Sequence, residues 1–202
     1  MAKRKSDGSP KKKSKSADKP AATDPSCATA RYEAGHAVAA VRFGFEIYGV
    51  DIIPKPVPGS PGKYGLAGAD LGLPDGRRFL GKGGESVRNI LITLLAGVQA
   101  ERKLNPDAGL EYGHPQSDGA VAFKYAAGAI CTPVLEHGVL KTKGDEVERN
   151  KDQIAAFMDL MMDEAAEFAA EYEEAIDALA DLIHARKQLT GDEVVRFLSA
   201  ER

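Results

Sequence analysis

From Asp145 to Leu189 the chain contains neither glycine nor proline. A run that long without a breaker rules out a series of hairpins, because tight reversals depend on those residues. Ile154, Phe157, Met161, Ala165, Phe168, Tyr172, Ile176, Leu179 and Ile183 step through it by threes and fours. That spacing predicts one long amphipathic helix, or two stacked ones, with an acidic outer face that serves solubility. Thr190-Gly-Asp-Glu193 follows, with Thr190 as N-cap and Glu193 closing a capping box, and starts a final short helix.

The first half of the chain is more broken. Residues 28 to 43 alternate apolar and polar positions at helical spacing, and Gly44 is the expected stop. Gly35 within that helix costs about 1 kcal/mol against alanine, so close packing is the expected reason for it. Ile47 to Pro54 reads as a short strand ended by proline. A loop with Pro56, Pro58 and Pro61 follows, and Lys63 to Asp70 reads as a weaker return strand. A helix is expected over 85–104, with Val87, Ile90, Leu91, Leu94, Leu95 and Val98 as its apolar stripe and Asn105-Pro106 as its stop. After a loop over 105–116, Ser117 or Asp118 caps a helix that runs to about Ile130. The fold class expected is α+β, mostly α-helical, with a short β-hairpin beside the first helix.

Charge divides the chain. Residues 1–24 carry eight Lys/Arg against three Asp, although the net charge is only −3. Residues 1–26 are Lys-, Ser-, Pro- and Ala-rich and cannot bury enough surface to offset chain entropy, so a disordered basic tail is expected ahead of a folded domain over 27–202. Pro10-Lys-Lys-Lys-Ser-Lys15 suits nucleic acid, anionic lipid or an import receptor, and its plainer role is to keep the chain soluble. The acidic body offers no aromatic or groove-reading element, so nucleic acid is expected at the tail only. Cys27 and Cys131 give no disulfide framework. No run approaches the ~18 apolar residues of a membrane span, and no signal-peptide core is present, so a cytoplasmic protein without a membrane partner is expected.

The chemistry concentrates at Tyr32-Glu-Ala-Gly-His36. It comes close to H-E-x-x-H, in which two imidazoles one helical turn apart bind zinc and the glutamate activates water. Glu33 holds the base position, His36 the second ligand position, and Tyr32 stands where the first histidine belongs. Asp118 at a helix start is the candidate third ligand, and equally a plain cap that favours the helix dipole. His114 lies four residues earlier, able to replace the missing imidazole, whereas His137 and His184 read more simply as surface residues.

The flanking stretch Ala30-Arg-Tyr-Glu-Ala-Gly-His-Ala-Val38 is similar to the A-Y-H-E-A-G-H-A helix in the peptidase domain of FtsH-type ATP-dependent zinc proteases. In the same order follow Val50-Asp-Ile-Ile-Pro54, Gly65-Leu-Ala-Gly68 with Leu73-Pro74, Leu94-Leu-Ala-Gly-Val-Gln-Ala-Glu101 and Gln116-Ser-Asp118. They are similar to the family's strand, return strand and loop, its L-x-G-R-x-A-E helix and its S-N-D segment. Ala178 to Ile183 and Leu189 to Glu193 resemble the end of the domain.

The resemblance implies a zincin-like fold with Glu33 as general base, His36 and Asp118 as zinc ligands, and Tyr32 or His114 completing the set. It also implies that Val50, Asp51, Ile52 and Ile53 form the edge strand to which an extended peptide substrate adds. Tyr32 leaves a second outcome, a metal-free pseudo-peptidase that binds peptides or a protein partner. The sequence carries no P-loop, since Val57 stands at the first glycine position and Tyr64 follows Gly62-Lys63. Unfolding would therefore fall to a partner ATPase, and self-association is the other assembly this reading leaves open.

Overall fold

Two helices, α1 (Pro25–Phe43) and α2 (Gly84–Glu101), cross at the centre of the molecule. The computed structural model describes residues 25–53, 55–56, 64–65, 68–73, 84–114, 116–131, 134–136 and 139–200. Residues 1–24 of the expected basic tail, His137, and Pro58 and Pro61 of the proline-rich loop lie outside the described residues, whereas Pro25 and Ser26, expected in the tail, open α1. Gly35 has the role expected of it: a Cβ there would sit 2.6 Å from the Ala96 carbonyl oxygen and 2.8 Å from the Ala100 Cβ. The backbones can approach that closely only without a side chain at 35. Around it the apolar side chains that α1 buries are all small, Ala30, Ala34, Ala37, Val38, Ala39 and Ala40. Residues 90–98 of α2 are buried on every side, as befits a helix surrounded by others.

The surrounding layer follows from chain order. The sheet strands begin with β1 (Glu46–Asp51), after Gly44 has ended α1 at φ +76°. Next come β2 (Lys55–Pro56), β3 (Tyr64–Gly65) and β4 (Ala69–Gly72), then α3 (Asp118–Ile130), which packs on α2. The pair β5 (Val134–Glu136) and β6 (Val139–Lys141) leads to α4 (Gly144–Arg149), α5 (Lys151–Glu171) and α6 (Glu173–Arg186). The chain ends in β7 (Gln188–Thr190) and α7 (Gly191–Ala200). Helix α5 lies against α2, α6 lies against α1, and α7 covers β1. Ile154, Met161, Ile176, Leu179 and Ile183, five of the stripe residues, are among the largest fully buried side chains. Burial of each such side chain favours folding by about 1.5–3 kcal/mol. No described helix is long and apolar enough to cross a membrane.

The glycine- and proline-free run is thus three helices rather than one or two, divided at Asn150 and Tyr172. Both residues leave helical dihedrals, with φ −106° and −104°. The break at Tyr172 lets α5 and α6 follow α2 and α1 separately. At the C-terminus the capping box forms: Thr190 N–H donates to Glu193 Oε2 at 2.9 Å, and Glu193 N–H to Thr190 Oγ1 at 3.3 Å.

The sheet corrects the expectation of a simple hairpin with an exposed edge at 50–53. Strand β1 does pair antiparallel with β4, with an irregularity between Ile47 and Gly49. It pairs equally with β7 on its other side, Val50 facing Leu189 and Asp51 facing Gln188, and Ile52 N–H continues to the Lys187 carbonyl at 2.9 Å. The order is β4-β1-β7, so β1 is the central strand and its backbone is already occupied. The third strand exists because Lys187, at φ 66°, ends α6 in the left-handed region and turns the chain back onto the sheet.

Candidate active site

Helix α1 presents two faces at neighbouring residues. Arg31 points toward α2 and α6, where its Nε donates to the Ala100 carbonyl at 2.6 Å and its two terminal nitrogens pair with Asp177 and Glu173. Lys103 joins the same carboxylates, lying 2.7 Å from Asp177. Tyr32, Glu33 and His36 instead line a cleft of about 880 Å³. Its other walls are Gly68, Ala69 and Leu71 at β4, and the segment from Glu101 to Asp118.

His36 is buried and its orientation is fixed. Nδ1 lies 2.7 Å from the Thr93 carbonyl oxygen, and only an N–H can make that bond, so Nδ1 carries a proton. The ring lies directly on Gly97, one turn along α2, where any Cβ would overlap the imidazole. Nε2 then faces Asp118 Oδ2 at 3.4 Å, an ion-pair distance, and has no hydrogen-bond partner. Burial opposes a charge on this ring. The carboxylate of Asp118, with help from Glu33 and the Thr93 carbonyl, outweighs that and pushes the imidazole up to about 9.

Asp118 is the first residue of α3 and its carboxylate turns into the cleft. Burial would raise its pKa, but His36 and the Tyr32 hydroxyl hold it below the usual range. Tyr32 donates its hydroxyl to Asp118 Oδ2 and meets the His36 ring edge-on, with centroids 4.7 Å apart. Burial, then the neighbouring Asp118, raises the phenol above its ordinary value. Glu33 accepts the Ala69 N–H at 2.7 Å. Its desolvation is opposed by His36 and by that hydrogen bond, and the net result is a carboxyl pushed up to about 7.

Glu33, His36, Asp118 and Tyr32 are therefore brought together, and the other candidates are not. His114 is exposed, its Nδ1 accepting the Gln116 N–H at 3.2 Å, and it does not line the cleft. His184 contacts Ser26 Oγ at 2.8 Å, tying α6 to α1. Val50 and Ile52 are buried and Ile53 is exposed, away from the lining. Ser117 stands at the N-cap, but its Oγ bonds the Glu111 and His114 carbonyls instead of capping α3. Thr93, Gly97 and Ala69 complete the site without having been singled out by the sequence; a glycine in the interior of α2 was the one available signal.

The donor set fits a zinc-like cation in part. His36 donates its Nδ1–H to a backbone carbonyl, as metal-binding imidazoles commonly do, and its Nε2 has no hydrogen-bond partner beside a carboxylate. Among the described residues no three His, Cys, Asp or Glu side chains form a metal-sized cluster; beside His36 and Asp118 stands the Tyr32 phenol, hydrogen-bonded to Asp118. No family model matches this chain, and no curated protein matches it either.

Proposed function

We propose that this chain is a zincin-like peptidase domain of the FtsH type that binds an extended polypeptide in the cleft and hydrolyses it, with His36, Asp118 and Tyr32 holding a zinc ion. One observation carries the reading: a buried His36 Nε2, its tautomer set by Thr93, faces Asp118 beside a Glu33 carboxyl poised near neutrality. Zinc, when bound, supplies Lewis acidity that lets water and a peptide carbonyl react at neutral pH. The rest is work for the chain's own residues. Glu33 takes a proton from the attacking water and passes it to the leaving amine, a role its value of about 7 suits. The Ala69 N–H holds that carboxylate in place. The open edge beside it belongs to β4, which pairs only with β1 among the described residues, so the substrate strand adds there. Folded substrates would need a partner ATPase, and the two free cysteines suit a reducing, cytoplasmic setting.

A specific observation favours a second reading, a metal-free pseudo-peptidase that binds without cutting. The Tyr32 hydroxyl already occupies Asp118, and the phenol is a weaker acid than usual in this site. Metal analysis of protein purified without a chelating tag separates the two readings. About one zinc per chain, lost in His36→Ala, with casein hydrolysis lost in Glu33→Gln while zinc is retained, supports the peptidase. Absence of zinc after its addition, with peptide binding intact, establishes the pseudo-peptidase.

A further inference from the structure

The rim of the cleft beneath α1 is acidic, while at its floor His36 faces Asp118. Glu101, Asp107 and Glu111 join Glu33 and Asp118 in its walls, and no lysine or arginine lines it among the described residues. The cations nearest in sequence are engaged elsewhere. Arg102 donates to the Ala108 carbonyl at 2.9 Å and to Gln99 at 3.2 Å. Lys103 reaches Asp177 and Glu173 on α6. Asp107 and Glu111 are exposed on the loop after α2, and no described cation pairs with either. At the floor of the same cleft, the His36 side chain is 5% exposed and its Nε2 has no hydrogen-bond partner, a buried polar atom that a group from outside would satisfy. Like charges around a recess with low-dielectric walls focus the field within it and draw in the opposite charge.

We infer that this cleft selects polypeptide segments bearing lysine or arginine, whose cationic ends are taken by Glu101, Asp107 and Glu111 while the backbone lies beside β4. The inference rests on the reading of the cleft as a peptide site and adds the class of peptide. It depends on neither zinc nor cleavage.

The test is fluorescence anisotropy of the full chain in its Glu33→Gln form with three labelled peptides. They share an unstructured backbone and differ only in carrying lysine, serine or glutamate at alternate positions. The lysine peptide is expected to bind about tenfold more tightly than the serine peptide, with the glutamate peptide weaker still and the difference shrinking as salt rises. Asp107→Asn with Glu111→Gln, both at exposed positions, is expected to remove most of the lysine preference while leaving binding of the serine peptide unchanged. Equal affinity for lysine and serine peptides would overturn the charge selection and leave the peptide site standing. Failure of all three to bind would overturn both. A lysine preference that survives the double substitution would also overturn the assignment to this rim.

Discussion

Arg31 and His36 are both buried cation-forming side chains on α1, five positions apart, and the molecule treats them in opposite ways. Arg31 has a partner for each of its nitrogens, on α2 and on α6. His36 has one good hydrogen bond and one bare nitrogen facing a carboxylate. A fully satisfied buried charge fixes how helices sit; an unsatisfied one keeps a capacity to bind. The difference separates the framework of the domain from its cleft, within a single helix.

The comparison should break most visibly with pH. In the metal-stripped chain, His36 is pushed up to about 9 from an ordinary 6.5, so its stabilising contribution is complete below pH 6.5 and lost as pH rises through about 9. Glu33, pushed up to about 7 from 4.5, acts in the same direction at lower pH, its contribution complete below 4.5 and gone above about 7. Urea unfolding at pH 6.5 and 9 should show the alkaline loss, and His36→Gln should flatten it. On the other face, Arg31→Ala is expected to cost about 3 kcal/mol, at the low end for a broken buried pair because its acidic partners are nearly half exposed. The same urea titration would show that cost at both pH values alike.

A smaller effect probes the floor of the cleft. Gly97→Ala places a methyl group into the His36 ring and is expected to cost about 2 kcal/mol as overpacking. Zinc and peptide binding should fall with it, which calorimetry would read. Tyr32→His should instead strengthen zinc binding by at least about tenfold, because it replaces a reluctant phenol with an imidazole, as competition with a chromogenic chelator would show. The smallest effect belongs to a control: Thr190→Ala removes half of the capping box for about 1 kcal/mol and leaves zinc and peptide affinity unchanged.

Much of this division was legible in the sequence, and the illegible parts share a cause. Tyr32, Glu33 and His36 could be read as one helix face because helical spacing is local. Gly35 could be read as a packing residue because a mid-helix glycine needs a reason. Asp118 remained balanced between cap and ligand, since only the tertiary fold decides which way a first-turn carboxylate points. The roles of Thr93 and Gly97 were hidden for the same reason: a backbone carbonyl and a missing side chain carry no chemistry until another helix lies on them. The central position of β1 was the largest miss. Its second neighbour is a three-residue strand whose alternation is too short to register, and a helix stop at Lys187 followed by buried Leu189 was the only hint.

That strand ties an early stretch of the chain to one made much later. A ribosome releases α1, with its cleft-lining face, long before it releases Leu189 and Thr190, which complete the sheet next to β1. Until those residues emerge, β1 offers a bare edge to any neighbouring chain. The sheet is therefore finished only when residues far downstream have been made, although β4, the strand on the cleft side, follows β1 closely in the chain.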